Sequence, residues 1–287
     1  MKSFARSLLA STALLLAAYS AQAETLQDLA KHTHFHGISI VHGGTAELLL
    51  ASHHGLFAVD STGNATRLSA IQDFMGFSPS PVDPLTFFAS GHPATGGNAG
   101  FLKSIDGGVT WGHESDGLDG PVDFHQMDVS PANPKTVYGN YDGLQISHDG
   151  GKTWAASGSA PDKLIAIAAS SLAEATLYAA TESGLQQSDD AGAAWHVNNF
   201  GGQIVSMVKS TPNHLLYAFV LGSGLMQANE DAPTKWQTLS NDFGQAVPLH
   251  MAVDATDARH LVLTTQFNGV LESKDGGSHW TGFALSN

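Results

Sequence analysis

Short aliphatic and aromatic runs alternate with turns containing Gly, Asn, Asp and Pro over most of this chain, the pattern of many short strands. The stretch 124–154 shows one full unit. An inner strand over Phe124–Val129 leads through Ser130-Pro131-Ala132-Asn133-Pro134 to a second strand over Thr136–Gly139. Tyr141-Asp142-Gly143 turns that strand into a third, Leu144–Ser147, and a fourth begins around Trp154. The five tryptophans, at 111, 154, 195, 236 and 280, are 43, 41, 41 and 44 residues apart. A period near forty with several strands per unit predicts propeller blades rather than a helical solenoid. By this template inner strands start near His34, Asp73, Asp123, Lys163, Gln203 and Pro248. The expectation is an all-β, six-bladed propeller of four-stranded antiparallel blades, forming one domain over residues 24–287. The stretch from His92 to Gly100 is read as an insertion that lengthens a loop of the second blade.

Most of the tryptophans close a turn of the form Ser-x-Asp-x-Gly-x-Thr-Trp. It is intact over Ser104–Trp111 and Ser147–Trp154, and carries one change in Ser188–Trp195 (Ala194 for Thr) and in Ser273–Trp280 (His279 for Thr). Before Trp236 it is eroded, and near Asp60–Thr66 only a remnant survives. Gly supplies a positive φ, while the Asp carboxylate and Ser hydroxyl accept from turn amides. These turns resemble the Asp-box, or BNR, repeat of sialidases, sortilin-type receptors and photosystem assembly factors of the Ycf type. The resemblance implies a propeller scaffold and carries little about activity, because function is built on a fold rather than given by it.

The first residues change the picture of where the protein works. Lys2 and Arg6, the apolar Leu8–Ala18 and the small-residue site Ala21-Gln22-Ala23 have the three-part layout of a secretory signal peptide, too short to span a bilayer. Residues 1–23 are therefore expected to be removed, leaving no membrane span and a periplasmic or secreted protein. Removal takes away two basic residues and no acidic one, so the formal charge moves from −14 to −16. Such a chain repels nucleic acid and anionic membrane surfaces. Cysteine is absent, so no disulfide staples the fold. Histidine is unusually common, 15 against 12 Lys plus Arg, which points to imidazole chemistry beyond surface charge.

In a propeller the inner strands line the central axis, and the turns between second and third strands open on the face where the inner strands begin. Aligning the six inner strands puts His36, Met75, His125, Ile165, Val205 and His250 at one level. His36, Met75, His125 and His250 thus come from four consecutive blades and form a candidate metal ring. Turn residues His53, His54 and His92 open on the same face, and His34, Asp73 and Asp123 lie two residues before the ring. Three imidazoles and a thioether suit copper, or zinc with an open coordination position. Asp73 and Asp123 would then orient the imidazoles. A metal-free polar pocket and purely structural histidines are the other readings of the same residues. His113, His148, His196, His214 and His260 are expected in turns or on the surface.

An enzymatic reading is also open. A sialidase needs three arginines around a carboxylate, and residues 24–287 contain only Arg67 and Arg259, neither suited to the axial face. Another glycosidase would need two carboxylates across a sugar, and Asp73, Asp123, Asp142 and Glu182 are all expected on that face. Asp123 and Asp73 are the catalytic candidates on that reading. A Ser-His-Asp signature, a phosphate loop and a dinucleotide fingerprint are missing, and Gly96-Gly97-Asn98-Ala99-Gly100 reads as a flexible loop. The segments His34-Phe35-His36-Gly37, His53-His54-Gly55-Leu56, Phe74-Met75-Gly76-Phe77, Ser90-Gly91-His92-Pro93 and Asp119–His125 resemble a group of exported bacterial proteins termed glycosyl hydrolases. A glycan ligand, or a protein partner bound along the blade faces, completes the set of expectations.

Overall fold

The computed structural model describes residues 24–284, and the expected signal peptide lies outside them. The chain is an all-β six-bladed propeller, with six antiparallel sheets in which strands follow in sequence order from the axis outward. The inner strands are Phe35–Ile40, Gln72–Pro79, Gln126–Val129, Leu164–Ala169, Val205–Ser210 and Pro248–Val253. These begin within three residues of the positions expected from the repeat. Among the described residues the one α-helix is the single turn Leu26–Leu29, capped by Thr25, whose Oγ1 accepts from the Asp28 amide at 3.1 Å.

The turns before the tryptophans explain the period. In Ser104–Trp111 the Ser104 hydroxyl accepts from the Gly108 amide at 2.9 Å, and Asp106 accepts from the Thr110 amide and hydroxyl at 2.9 and 2.6 Å. The Trp111 indole donates to the Gly108 carbonyl at 2.9 Å. The same bonds recur around Asp149, and around Asp275 with the His279 ring in place of the threonine hydroxyl. The glycine three residues before the tryptophan, Gly108, Gly151, Gly192 or Gly277, has φ near +90° and presses on the preceding blade. A Cβ on Gly151 would lie 1.9 Å from Phe101, and one on Gly192 would lie 2.1 Å from Leu144. The turn therefore sets both a loop and an inter-blade contact, which is why it recurs at the blade period. In blade five Pro233 takes that glycine's position, and the buried Trp236 indole nitrogen has no partner.

Ring closure uses no shared blade. Each blade is cut from consecutive residues, and Glu24–Thr25 adds a fifth strand to the outer edge of blade one, pairing with Asn64–Ala65. Blades six and one are joined by a common core in which Leu26, Leu29, Phe35 and Leu48 meet Ala252, Val262, Val270 and Phe283. The Asn268 side chain donates to the Ala30 carbonyl at 2.9 Å. A polar seam runs beside this core. Asp254 contacts His42 and His260 at 3.0 and 3.1 Å, and the other ring nitrogen of His260 meets Glu272 at 2.9 Å. His260 is thus a largely enclosed part of the seam rather than a free surface residue.

Further down the axis the inner strands are tied by Asp128, which is 5% exposed. It accepts from the Ser78 hydroxyl at 2.9 Å and the Ala169 amide at 3.0 Å, and Lys209 approaches at 3.6 Å. Groups from blades two, four and five converge on this one carboxylate, so its lone pairs are filled by the protein.

Candidate functional site

At the opposite end of the inner strands stands a concentration of imidazole and carboxylate. Its first device is a β-bulge. In blade one Phe35 pairs with Ser52 and Gly37 with Ala51, leaving His36 as the extra residue. Bulges re-aim a side chain at the mouth of a sheet, and here that residue is an imidazole. Blade two repeats the device with Met75, between Phe74↔Gly91 and Gly76↔Ser90. In blade three His125 occupies the corresponding place just before the strand.

Blades four, five and six place Ile165, Ser206 and Leu249 at the bulge. Val205 and His250 therefore sit one residue away from the level expected for them. His250 pairs with Thr264 and takes the place that Gly37 holds in blade one, a position facing the next blade, where a Cβ would meet Phe77. His250 is the imidazole of blade six nearest this mouth. Burial pushes its pKa down to about 4, so it is neutral at physiological pH.

Two groups of three ligand atoms form here, each within 4.8 Å of one another: His36, His53 and Asp73; and His92, Asp123 and His125. In the first, Asp73 Oδ2 is 2.9 Å from His53 Nδ1, which must carry the proton because a carboxylate accepts only. The lone pair of His53 is then on Nε2, 3.1 Å from Nε2 of His36. Two nitrogens bound to one zinc ion at about 2.0–2.1 Å in tetrahedral geometry lie about 3.3–3.4 Å apart, so this spacing is close to a coordination edge. Burial, followed by the nearby His53, His250, His34 and His125, pushes the His36 pKa down to about 3. A neutral imidazole is the form that ligates a metal.

In the second group His125 Nε2 donates to Asp123 Oδ2 at 2.7 Å. This bond, with the charges of Asp123 and Asp73, raises the His125 pKa. His92 donates from Nδ1 to the Gly97 carbonyl at 2.9 Å, in the loop that the sequence marks as an insertion. Its Nε2 approaches the same Asp123 oxygen at 3.1 Å. A neutral His92 with its proton on Nδ1 turns a lone pair toward a carboxylate, and only a proton or a cation between the two makes that contact attractive. Asp123 is 7% exposed, and its Oδ1, like Oδ1 of Asp73, is buried without a hydrogen-bond partner. An unpaired buried carboxylate oxygen is costly, and both of these lie beside the histidines.

The remaining sequence candidates fall around this centre. The His34 ring lies 5.7 Å from the His53 ring, and exposed His54 packs 6.2 Å from His32. Met75 is half-buried at its bulge. Glu182 is engaged by Lys163 at 2.6 Å, and Asp142 lies in the blade-three turn with φ 51°. Sequence alignment of the inner strands alone gives no weight to His53 and His92 over the ring residues. The available signal was their position in turns opening on the same face. Gly91 matters for both groups: a Cβ there would lie 2.1 Å from the Asp73 carbonyl, so only glycine lets the two strands carrying Asp73 and His92 close.

No protein-family model and no curated protein matches this chain. Solved structures do share its fold. A GH74 xyloglucanase from Xanthomonas campestris superposes with TM-score 0.59 at 18% identity over 87% of this chain, which spans 45% of the enzyme's length. YCF48 bound to D1 peptide gives TM-score 0.54 at 16% identity, covering 92% of this chain and 86% of that one. A chain of the nidogen/laminin complex gives 0.60 at 12% identity, covering 82% and 92%. These likenesses, all under 25% identity, show a shared fold. Among the described residues no helix is long and apolar enough to cross a membrane.

Proposed function

We propose that this protein is an exported propeller whose axial face binds a divalent transition metal through imidazole and carboxylate ligands. The observation carrying this reading is the meeting of His36 and His53 Nε2 atoms at 3.1 Å, backed by the Asp73 carboxylate on His53 Nδ1. Carboxylate–histidine pairs of this kind fix the tautomer and raise the basicity of a metal ligand. His125 and the neutral, half-buried His250 stand close by, and Met75 remains a candidate axial donor. With carboxylates among the donors, the set is harder than a ring of histidine and methionine, and it favours zinc over copper(I). Elemental analysis of protein purified without chelator tests the reading, with a His36→Ala/His53→Ala variant alongside. Near-stoichiometric zinc or copper lost in the variant is the expected result. Metal absent from both, with none taken up on titration, overturns it.

A second reading is a glycan-binding or glycoside-cleaving face, supported by Asp73 and Asp123, whose Oδ1 atoms lack partners, and by Phe267, 73% exposed in the blade-six turn on the same side. An exposed ring beside polar groups is a surface on which sugars stack. Glycan screening with Asp123→Asn as control separates it from the first. Binding or hydrolysis that persists in chelator and fails in Asp123→Asn favours the second.

A further inference from the structure

We infer that the axial face is built for two divalent cations, one held by His36 and His53 and the other by His92, Asp123 and His125, with Asp73 between them. This inference rests on the metal-binding reading above and extends it. The two groups share no ligand, and each contains two imidazoles and a carboxylate. Each also contains one buried, unpartnered carboxylate oxygen, Asp73 Oδ1 in the first and Asp123 Oδ1 in the second.

The groups are adjacent as well as separate. Asp73 is directly opposite His92 in the ladder between the first two strands of blade two. Side chains of such a pair emerge on one face of the sheet with Cβ atoms about 4.5–5.5 Å apart. Asp73 therefore bonds His53 of the first group through Oδ2 while standing beside His92 of the second. Its negative charge therefore stands beside both groups and favours a cation in each. The second group has its own place for a cation. The Gly97 carbonyl holds the proton of His92 on Nδ1, so Nε2 presents its lone pair to Asp123 Oδ2 at 3.1 Å. A metal ion between these atoms satisfies both.

Native mass spectrometry of the purified chain titrated with zinc chloride tests this inference. The expected spectrum shows two zinc ions per wild-type chain, and one each in His53→Ala and His92→Ala. His279→Ala, in an exposed turn on the other face, keeps two. The charge-state distribution in the same spectra reports whether each variant is folded, and His53→Gln and His92→Gln replace any that is not. A wild-type chain that stops at one zinc, with that ion lost in either variant, overturns the two-ion inference and leaves the metal reading standing. No zinc on the wild-type chain, and no copper from a parallel copper(II) titration, overturns both.

Discussion

Two sets of aspartates on opposite faces of the propeller show how one side chain serves two purposes. On the Trp-bearing turns, Asp106, Asp149, Asp190 and Asp275 accept bonds from amides and hydroxyls of their own loops. Their pKa values are lowered accordingly, that of Asp149 to about 2, chiefly by the Thr153 hydroxyl. These carboxylates are held by their own turns and stand away from the axial histidines. At the axial mouth, Asp73 and Asp123 each spend one oxygen on histidine and keep the other buried and unpaired. The first set repeats with the blade and builds the scaffold. The second occurs where blades one, two and three differ from blades four and five, and it is available for chemistry.

The largest effect expected from breaking this contrast lies on the scaffold side. Gly151→Ala meets Phe101 and forces a side chain into φ +90°, so it should destabilise the fold by about 3 kcal/mol. Chemical denaturation measures that loss, and zinc affinity of the folded fraction should stay unchanged. On the axial side the reverse is expected. Asp73→Asn should weaken metal binding by about 10–100-fold, as loss of a carboxylate behind a ligating histidine does. Isothermal titration against the wild type checks it, and an unchanged affinity would return Asp73 to the scaffold class.

The pH dependence of stability sharpens the contrast at smaller amplitude. His36 and His250 have folded pKa values near 3 and 4, below the ordinary 6.5, so the unfolded chain binds more protons. Metal-free protein should therefore lose stability as pH falls from about 6.5 toward 4, in proportion to that difference in bound protons. His125 acts in the opposite sense: its raised pKa adds stability below 6.5 that is lost as pH rises through the folded value. Denaturation midpoints across pH for wild type and His36→Gln separate the terms, with a flatter acid limb expected in the variant. The smallest predicted effect is on one proton. Asp123→Asn removes the bond that lifts His125, and NMR titration of that ring should show its pKa moving down.

Legibility from the sequence follows the same division. The scaffold was readable because four of the blades repeat the physical requirement of a glycine against the previous blade and an aspartate closing a turn. The site was readable only as a neighbourhood. Aligning inner strands put His36 and His125 on one face, but the bulges shift blades five and six by one residue, and nothing local reveals that Ser206 and Leu249 take the level assigned to Val205 and His250. The contact of His53 with His36 spans two strands, and that of His92 with Asp123 spans two blades. Both depend on how the strands pair, and Asp73 acquires its place between the groups only through its ladder partner His92. The fifth strand of blade one, Glu24–Thr25, carries no copy of the repeat and so had no signal to find.

The most direct test of a metal at the axial mouth is an anomalous difference map collected at the zinc edge from crystals grown with equimolar zinc. The account predicts a peak bonded to the Nε2 atoms of both His36 and His53, at about 2.0–2.1 Å from each. A map with no peak there, or with peaks only at exposed histidines such as His279, would contradict it.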